Sequence, residues 1–191
     1  LDNAVDECKN PICGWENRTF GRIFSICPKT GSVDNILQHF KFAARPLGWS
    51  VIFGRLVLGW LEENIDPEDY DAIIANPTDP TRPVRHTELI LEAAAKEDLE
   101  DIWPIYPDAL VKTKATNRSG QSGAGWRAKW DAAQELDGTV EAAEWIDLTD
   151  KRVLVFDDIA TTCAQFQVLG GMLRRWGASN VDGLVIARTG G

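Results

Sequence analysis

The chain has 191 residues, 44% hydrophobic and 26% charged, enough for one domain with a proper core. Twenty basic residues against twenty-nine acidic ones give a net charge of −9, which disfavours non-specific binding to a nucleic-acid backbone. The longest apolar stretch, residues 51–61, is broken by Gly54 and Arg55 and is too short to cross a bilayer. No signal peptide is visible, although residue 1 is Leu rather than Met, and the sequence reads as cytoplasmic.

Residues 1–30 mix Pro11, Gly14, Asn17, Pro28 and Gly31 nearby with cysteines, and they show no sustained periodicity. Three of the four cysteines lie here. Cys8 and Cys13 form a C-x4-C pair, with Cys27 further on. A complete zinc site wants two close pairs, so the choice is between a partial zinc knuckle and three unconnected thiols. The division expected is a cysteine-containing N-terminal segment, residues 1–27, followed by one domain over residues 28–191.

From Ser32, a plausible N-cap, Val33, Ile36, Leu37 and Phe40 recur at helical spacing. A second helix is expected over residues 47–64, with Trp49, Phe53, Leu56, Trp60 and Leu61 on one broad face. Residues 71–75 suit a buried strand. It is stopped by Asn76-Pro-Thr-Asp-Pro80, where prolines and Asx residues force a loop. A helix over 85–97 follows, then a strand over 108–114 and a polar, glycine-containing stretch over 115–125 that reads as mobile. Another helix is expected over 126–136. The last third is the clearest: a strand over 151–156, a turn over 157–162, a helix over 164–176 ending at Gly177, and a strand over 181–187. This is a β-α-β unit with a crossover long enough for parallel pairing.

The chemistry concentrates at Val153-Leu-Val-Phe-Asp-Asp-Ile-Ala-Thr-Thr-Cys-Ala-Gln165. A buried strand delivers two carboxylates to the carboxyl edge of a parallel sheet, where α/β folds bind ligands. The amides at the start of the next helix, with the Thr161 and Thr162 hydroxyls, can cup a phosphate. The carboxylates can accept from sugar hydroxyls or help to hold Mg²⁺. The plain alternative is an ordinary strand–turn–helix with Asp157 and Thr161 as caps. A Walker B strand is excluded by the lack of a G-x-x-x-x-G-K-[ST] loop.

The segment resembles the phosphoribosyl pyrophosphate (PRPP) motif of type I phosphoribosyltransferases, two acidic residues followed by a Thr-Thr-Gly-containing loop. The resemblance implies a mainly parallel sheet flanked by helices, and transfer of a 5-phosphoribosyl group to a nitrogen nucleophile of a small-molecule acceptor with release of pyrophosphate. It implies that Asp157 and Asp158 meet the ribose hydroxyls, with Mg²⁺ near them. Ile159, Ala160, Thr161, Thr162, Cys163, Ala164 and Gln165 would form the phosphate loop. Cys163 stands where the family has Gly, a substitution that narrows the cup if the position needs a positive φ.

Order along the chain is also similar to the ComF-like, competence-associated branch. Its landmarks are the N-terminal cysteines, Lys41-Phe42, Ile73-Ile-Ala-Asn-Pro77, His86-Thr-Glu-Leu, the basic stretch over 112–127 and Ala187-Arg-Thr189. By this likeness Asn76, Pro77 and Thr78 open a pyrophosphate loop, expected to offer backbone amides. Lys112, Lys114, Arg118, Gln121 and Arg127 would form a basic lid, with Lys112 and Arg118 acting on the leaving group. A solvated loop is the plain reading of the same residues, and an oligonucleotide patch is disfavoured, with only Trp126 and Trp130 nearby to stack on bases. His39 and His86 read as structural, Trp103 and Trp145 as core, and Arg188 stays undecided. The alternative to an enzyme is a non-catalytic PRPP or nucleotide sensor, or a DNA-uptake accessory protein. A homodimer is neither required nor excluded.

Overall fold

The computed structural model describes residues 11–42, 47–116 and 125–189, without the side chains of Pro11, Cys13 and Leu47. Five parallel strands form the central sheet in the order β1 (Ile23–Pro28), β7 (Asn180–Arg188), β6 (Arg152–Ala160), β2 (Ala72–Ala75), β3 (Ile105–Tyr106). Parallel strands need long crossovers, and helices supply them. α1 (Gly31–Lys41) and α2 (Leu47–Asn64) connect β1 to β2, α3 (His86–Glu97) connects β2 to β3, and α5 (Ala164–Arg175) connects β6 to β7. A small antiparallel pair, β4 (Leu110–Lys112) and β5 (Val140–Ala142), brackets α4 (Trp126–Gln134).

Strand periodicity sends neighbouring residues to opposite faces, and both faces of this sheet are covered. Val153, Val155, Val181 and Val185 pack with Phe166, Leu169, Met172 and Leu173 of α5. Leu154, Phe156, Leu184 and Ile186 pack instead with Phe40 of α1, Phe53 and Val57 of α2, and Ile90 and Leu91 of α3. This double cover explains why the strands read as continuous apolar runs. At Gly54, α2 approaches α3 so closely that a Cβ would stand 2.8 Å from both the Ala93 Cβ and the Ala94 backbone nitrogen. Gly177, at φ 99°, ends α5 where the sequence placed its stop.

The elements follow the sequence closely, with four physical differences. The N-cap of α1 is Thr30 rather than Ser32. β6 does not stop at Phe156 but runs through the acidic pair to Ala160, because β7 extends alongside it with Asp157 opposite Val185 and Ala160 opposite Arg188. β1 pairs with β7, so the sheet begins at Ile23, upstream of the division expected at residue 28. Its half-buried edge position leaves a mixed pattern without clean alternation. Trp103 is buried as expected, but Trp145 is 60% exposed beside Tyr106 and is not core. Among the described residues, no helix is long and apolar enough to cross a membrane.

Candidate functional site

β2 leaves through α3 toward β3 on one side, whereas β6 leaves through α5 toward β7 on the other. The carboxyl ends of β2 and β6 therefore flank a topological switch point, where the diverging connections open a crevice. A cleft of about 430 Å³ lies there, lined by Asn76, Pro77, Thr78, Asp157, Asp158 and all of residues 159–165, together with Lys29, Lys41, Arg82, His86, Lys112 and Lys129. Five of these lining residues are Lys or Arg, set against the acids Asp34, Asp79, Asp157 and Asp158, so the cleft is cationic on balance in a chain of net charge −9.

Because β6 continues through them, Asp157 and Asp158 point to opposite faces of the sheet. Asp157 faces the α5 side. Its Oδ2 accepts from Asn76 Nδ2 (2.8 Å), and the same amide group donates to Gln165 Oε1 (2.9 Å) on the first turn of α5. Its Oδ1 accepts the Asp158 N–H (2.8 Å). Asp158 faces the other layer, where Lys41 Nζ at the end of α1 stands 2.5 Å from Oδ2 and His86 Nε2 at the start of α3 stands 3.8 Å away. These environments split the pair. Burial, then the neighbouring Asp158 charge, pushes the Asp157 carboxyl above its ordinary value, against the Asn76 hydrogen bond. Burial opposes ionisation of Asp158 too, but Lys41 and then His86 hold its carboxyl well below the ordinary range. A proton is therefore held more readily on Asp157 than on Asp158.

The expected phosphate loop shortens to Thr161, Thr162 and Cys163, since Ile159 and Ala160 remain in β6 and Ala164 and Gln165 belong to α5. Cys163 is the N-cap of α5, and its carbonyl accepts the Gln167 N–H (3.0 Å). It takes the left-handed conformation, φ 59° and ψ 12°, so the position does require the backbone that Gly adopts freely. Lys129 of α4 reaches over this turn, its Nζ 3.5 Å from Thr161 Oγ1.

The loop over residues 76–79 corrects one expectation. The Asn76 N–H donates to the Phe156 carbonyl (2.8 Å), Pro77 has no N–H, and the Thr78 N–H donates to Glu88 Oε1 (2.9 Å). Three of its four residues thus have no amide to offer a pyrophosphate. Buried Glu88 also accepts from the Thr78 hydroxyl (2.6 Å), and Thr87 Oγ1 donates to the Asn76 carbonyl (2.8 Å), so the first turn of α3 clamps this loop. Lys112 sits in the cleft wall, 3.2 Å from Asp79 Oδ2, and donates to Thr116 Oγ1 (2.5 Å). Burial of Asp79 is outweighed by hydrogen bonds from Thr81, the Thr116 N–H and Lys112, and its carboxyl lies well below its ordinary value.

Arg118 and Gln121 lie outside the described residues, as do Cys8 and the Cys13 side chain. Cys27 sits within β1, and its thiol donates to the Ile186 carbonyl (3.1 Å). Among the described residues, no group of three or more His, Cys, Asp or Glu is arranged to hold a metal. His39 is exposed on α1 with a ring nitrogen 2.7 Å from the Asn35 carbonyl, but His86 belongs to the cleft rather than to the structural background. Lys41, His86 and Lys129 escape sequence reasoning as site residues. The Lys41-Phe42 pair and the His86-Thr-Glu-Leu segment were visible only as landmarks of a resemblance.

No family model and no curated protein matches the chain. Among solved structures it is similar to one described as the structure of the allosteric regulatory enzyme of purine biosynthesis. The two are 16% identical, the match covers 78% of this chain and 29% of that one, and the TM-score is 0.44. The chain thus spans less than a third of that enzyme's length. At that score the likeness carries no argument, and the functional reading rests on the site.

Proposed function

We propose that the cleft binds a 5-phosphorylated pentose carrying a diphosphate at its anomeric carbon, PRPP, and transfers the phosphoribosyl group to a nitrogen nucleophile. The observation that carries this reading is one continuous segment, β6 to α5. It delivers two differently ionised carboxylates and a Thr-Thr turn at a helix N-terminus into a single cationic cleft. Hydroxyls of a sugar suit the carboxylate edge, and a terminal phosphate suits the Thr161–Cys163 turn with Lys129 above it. In the reaction the C1–O bond to the diphosphate breaks, and the bonding pair leaves with pyrophosphate. The lone pair of the acceptor nitrogen forms the C1–N bond, and that nitrogen then releases its proton.

With the amides of residues 76–78 engaged or lacking, the leaving group relies on side-chain cations, of which Lys29, Arg82 and Lys112 line the cleft. The donor set at the acidic pair does not fit a directly held Mg²⁺. Asp158 is already matched by Lys41, and Asp157, whose ionisation is disfavoured by burial and by the Asp158 charge, points to the opposite face of the sheet. No step is routed through a metal on these residues.

Calorimetric titration of PRPP and of ribose 5-phosphate into the wild-type protein tests the reading. Binding of both, with PRPP the tighter, is expected; absence of both removes it. Pyrophosphate release in an acceptor screen then separates a transferase from a non-catalytic PRPP sensor or accessory protein. That second reading draws on Cys163, which holds the turn before α5 in a left-handed backbone conformation.

A further inference from the structure

The buried Asp158 carboxylate already has a cation beside it. Asp157 and Asp158 are buried and adjacent, and both line the cleft. A buried carboxylate such as that of Asp158 needs a compensating cation. Here an ammonium holds that place. Lys41 closes α1, where the helix C-terminus favours a cation. Its Nζ lies 2.5 Å from Asp158 Oδ2, with the two side chains 12% and 6% exposed. Oδ2 is buried, and Lys41 is its nearest cation, with His86 further off.

We propose that Lys41 is the resident cation of the site. Its ammonium stands where a divalent metal would have to bind the Asp158 carboxylate, and it keeps the acidic pair free of metal. The groups facing Asp158 are Lys41 from α1, His86 from α3 and Asp157 from β6 itself. Of these Lys41 stands nearest to Oδ2, at 2.5 Å against 3.8 Å for His86. The Asp158 carboxylate and the Lys41 ammonium balance each other's charge. A neutral pair of this kind recognises hydroxyl groups by hydrogen bonding in preference to bare cations. This consequence for the ligand rests on the phosphosugar reading above. The exclusion of metal does not.

The test is Mn²⁺ binding to the full chain, followed by the loss of the free-ion electron paramagnetic resonance signal. Wild type and Lys41→Arg are expected to leave the signal of added Mn²⁺ unchanged. Lys41→Met should bind Mn²⁺ roughly tenfold to a thousandfold more tightly, the range over which a neighbouring cation alters a carboxylate's affinity for a proton. The gain should vanish in Lys41→Met/Asp158→Asn, where both partners of the buried pair are gone. Wild type binding Mn²⁺ as tightly as Lys41→Met, through Asp158, would overturn the proposal. Should Lys41→Met not fold, acylation of surface amines in wild type gives an independent answer. Lys41 should react far more slowly than Lys114, and equal reactivity refutes the ion pair. Ribose 5-phosphate calorimetry on the same wild-type sample reports separately on the sugar reading, so the two ideas fail independently.

Discussion

Cys163 offers a test in which the usual order of two substitutions should reverse. In the interior of a helix, Ala is favoured over Gly because Gly gives the unfolded chain more freedom, by about 0.5–1 kcal/mol. Cys163 sits at φ 59°, where a Cβ crowds the following carbonyl at a cost of about 1–2 kcal/mol. Cys163→Ala keeps the Cβ and its strain but loses the buried thiol, which is 4% exposed. Cys163→Gly loses the same thiol and the strain together. The strain relief exceeds the added freedom of the unfolded chain, so the Gly variant should be more stable than the Ala variant by roughly 0.5–1 kcal/mol. Urea unfolding followed by the fluorescence of the eight tryptophans reads this difference directly. Ala equal to or better than Gly would refute the left-handed assignment and, with it, the strained phosphate turn. Ribose 5-phosphate should also bind the Gly variant more tightly than wild type, because the cup loses a side chain.

Lys129→Ala should weaken ribose 5-phosphate binding about tenfold, as expected for one hydrogen bond to a charged group; its unfolding midpoint should hardly move. Asp157→Asn removes a carboxyl whose folded value is raised, so wild type gains stability from it at acid pH and loses that gain as pH rises through the raised value. Stability of the variant relative to wild type should therefore improve steadily from about pH 4 upward, and a flat difference in urea titrations would contradict the burial argument. Gly54→Ala forces a methyl into the α2–α3 contact, where its neighbours would lie at 2.8 Å, and should cost about 1–3 kcal/mol in the same assay.

The strand, turn and helix over residues 152–175 were legible because each signal is local: an apolar run, two small hydroxyl residues, then a helical face closed by Gly177. The length of β6 was not, because its last residues are held in extended form by β7, and pairing partners are not written in the strand itself. β1 escaped for a related reason, since a half-buried edge strand shows neither full apolarity nor alternation. The site divides in the same way. Asp157, Asp158, Thr161 and Thr162 announce themselves by adjacency. Lys41 and His86 arrive at Asp158 from two helices far away in sequence, and only the folded packing of α1 and α3 brings them there. The engaged amides of residues 76 and 78 were hidden likewise, because Phe156 of β6 and Glu88 of α3 become their partners only once the chain has folded back on itself.

Since adjacent strand residues look out from opposite sides, each carboxylate of the pair is moored to a different half of the molecule, Asp157 through the Asn76 amide to Gln165 of α5 and Asp158 to the layer of α1 and α3. A ligand gripping both would act as a rivet through the sheet. Slow amide hydrogen exchange should then deepen on α3 and α5 together when the cleft is filled, as two otherwise separable folding units come to open as one.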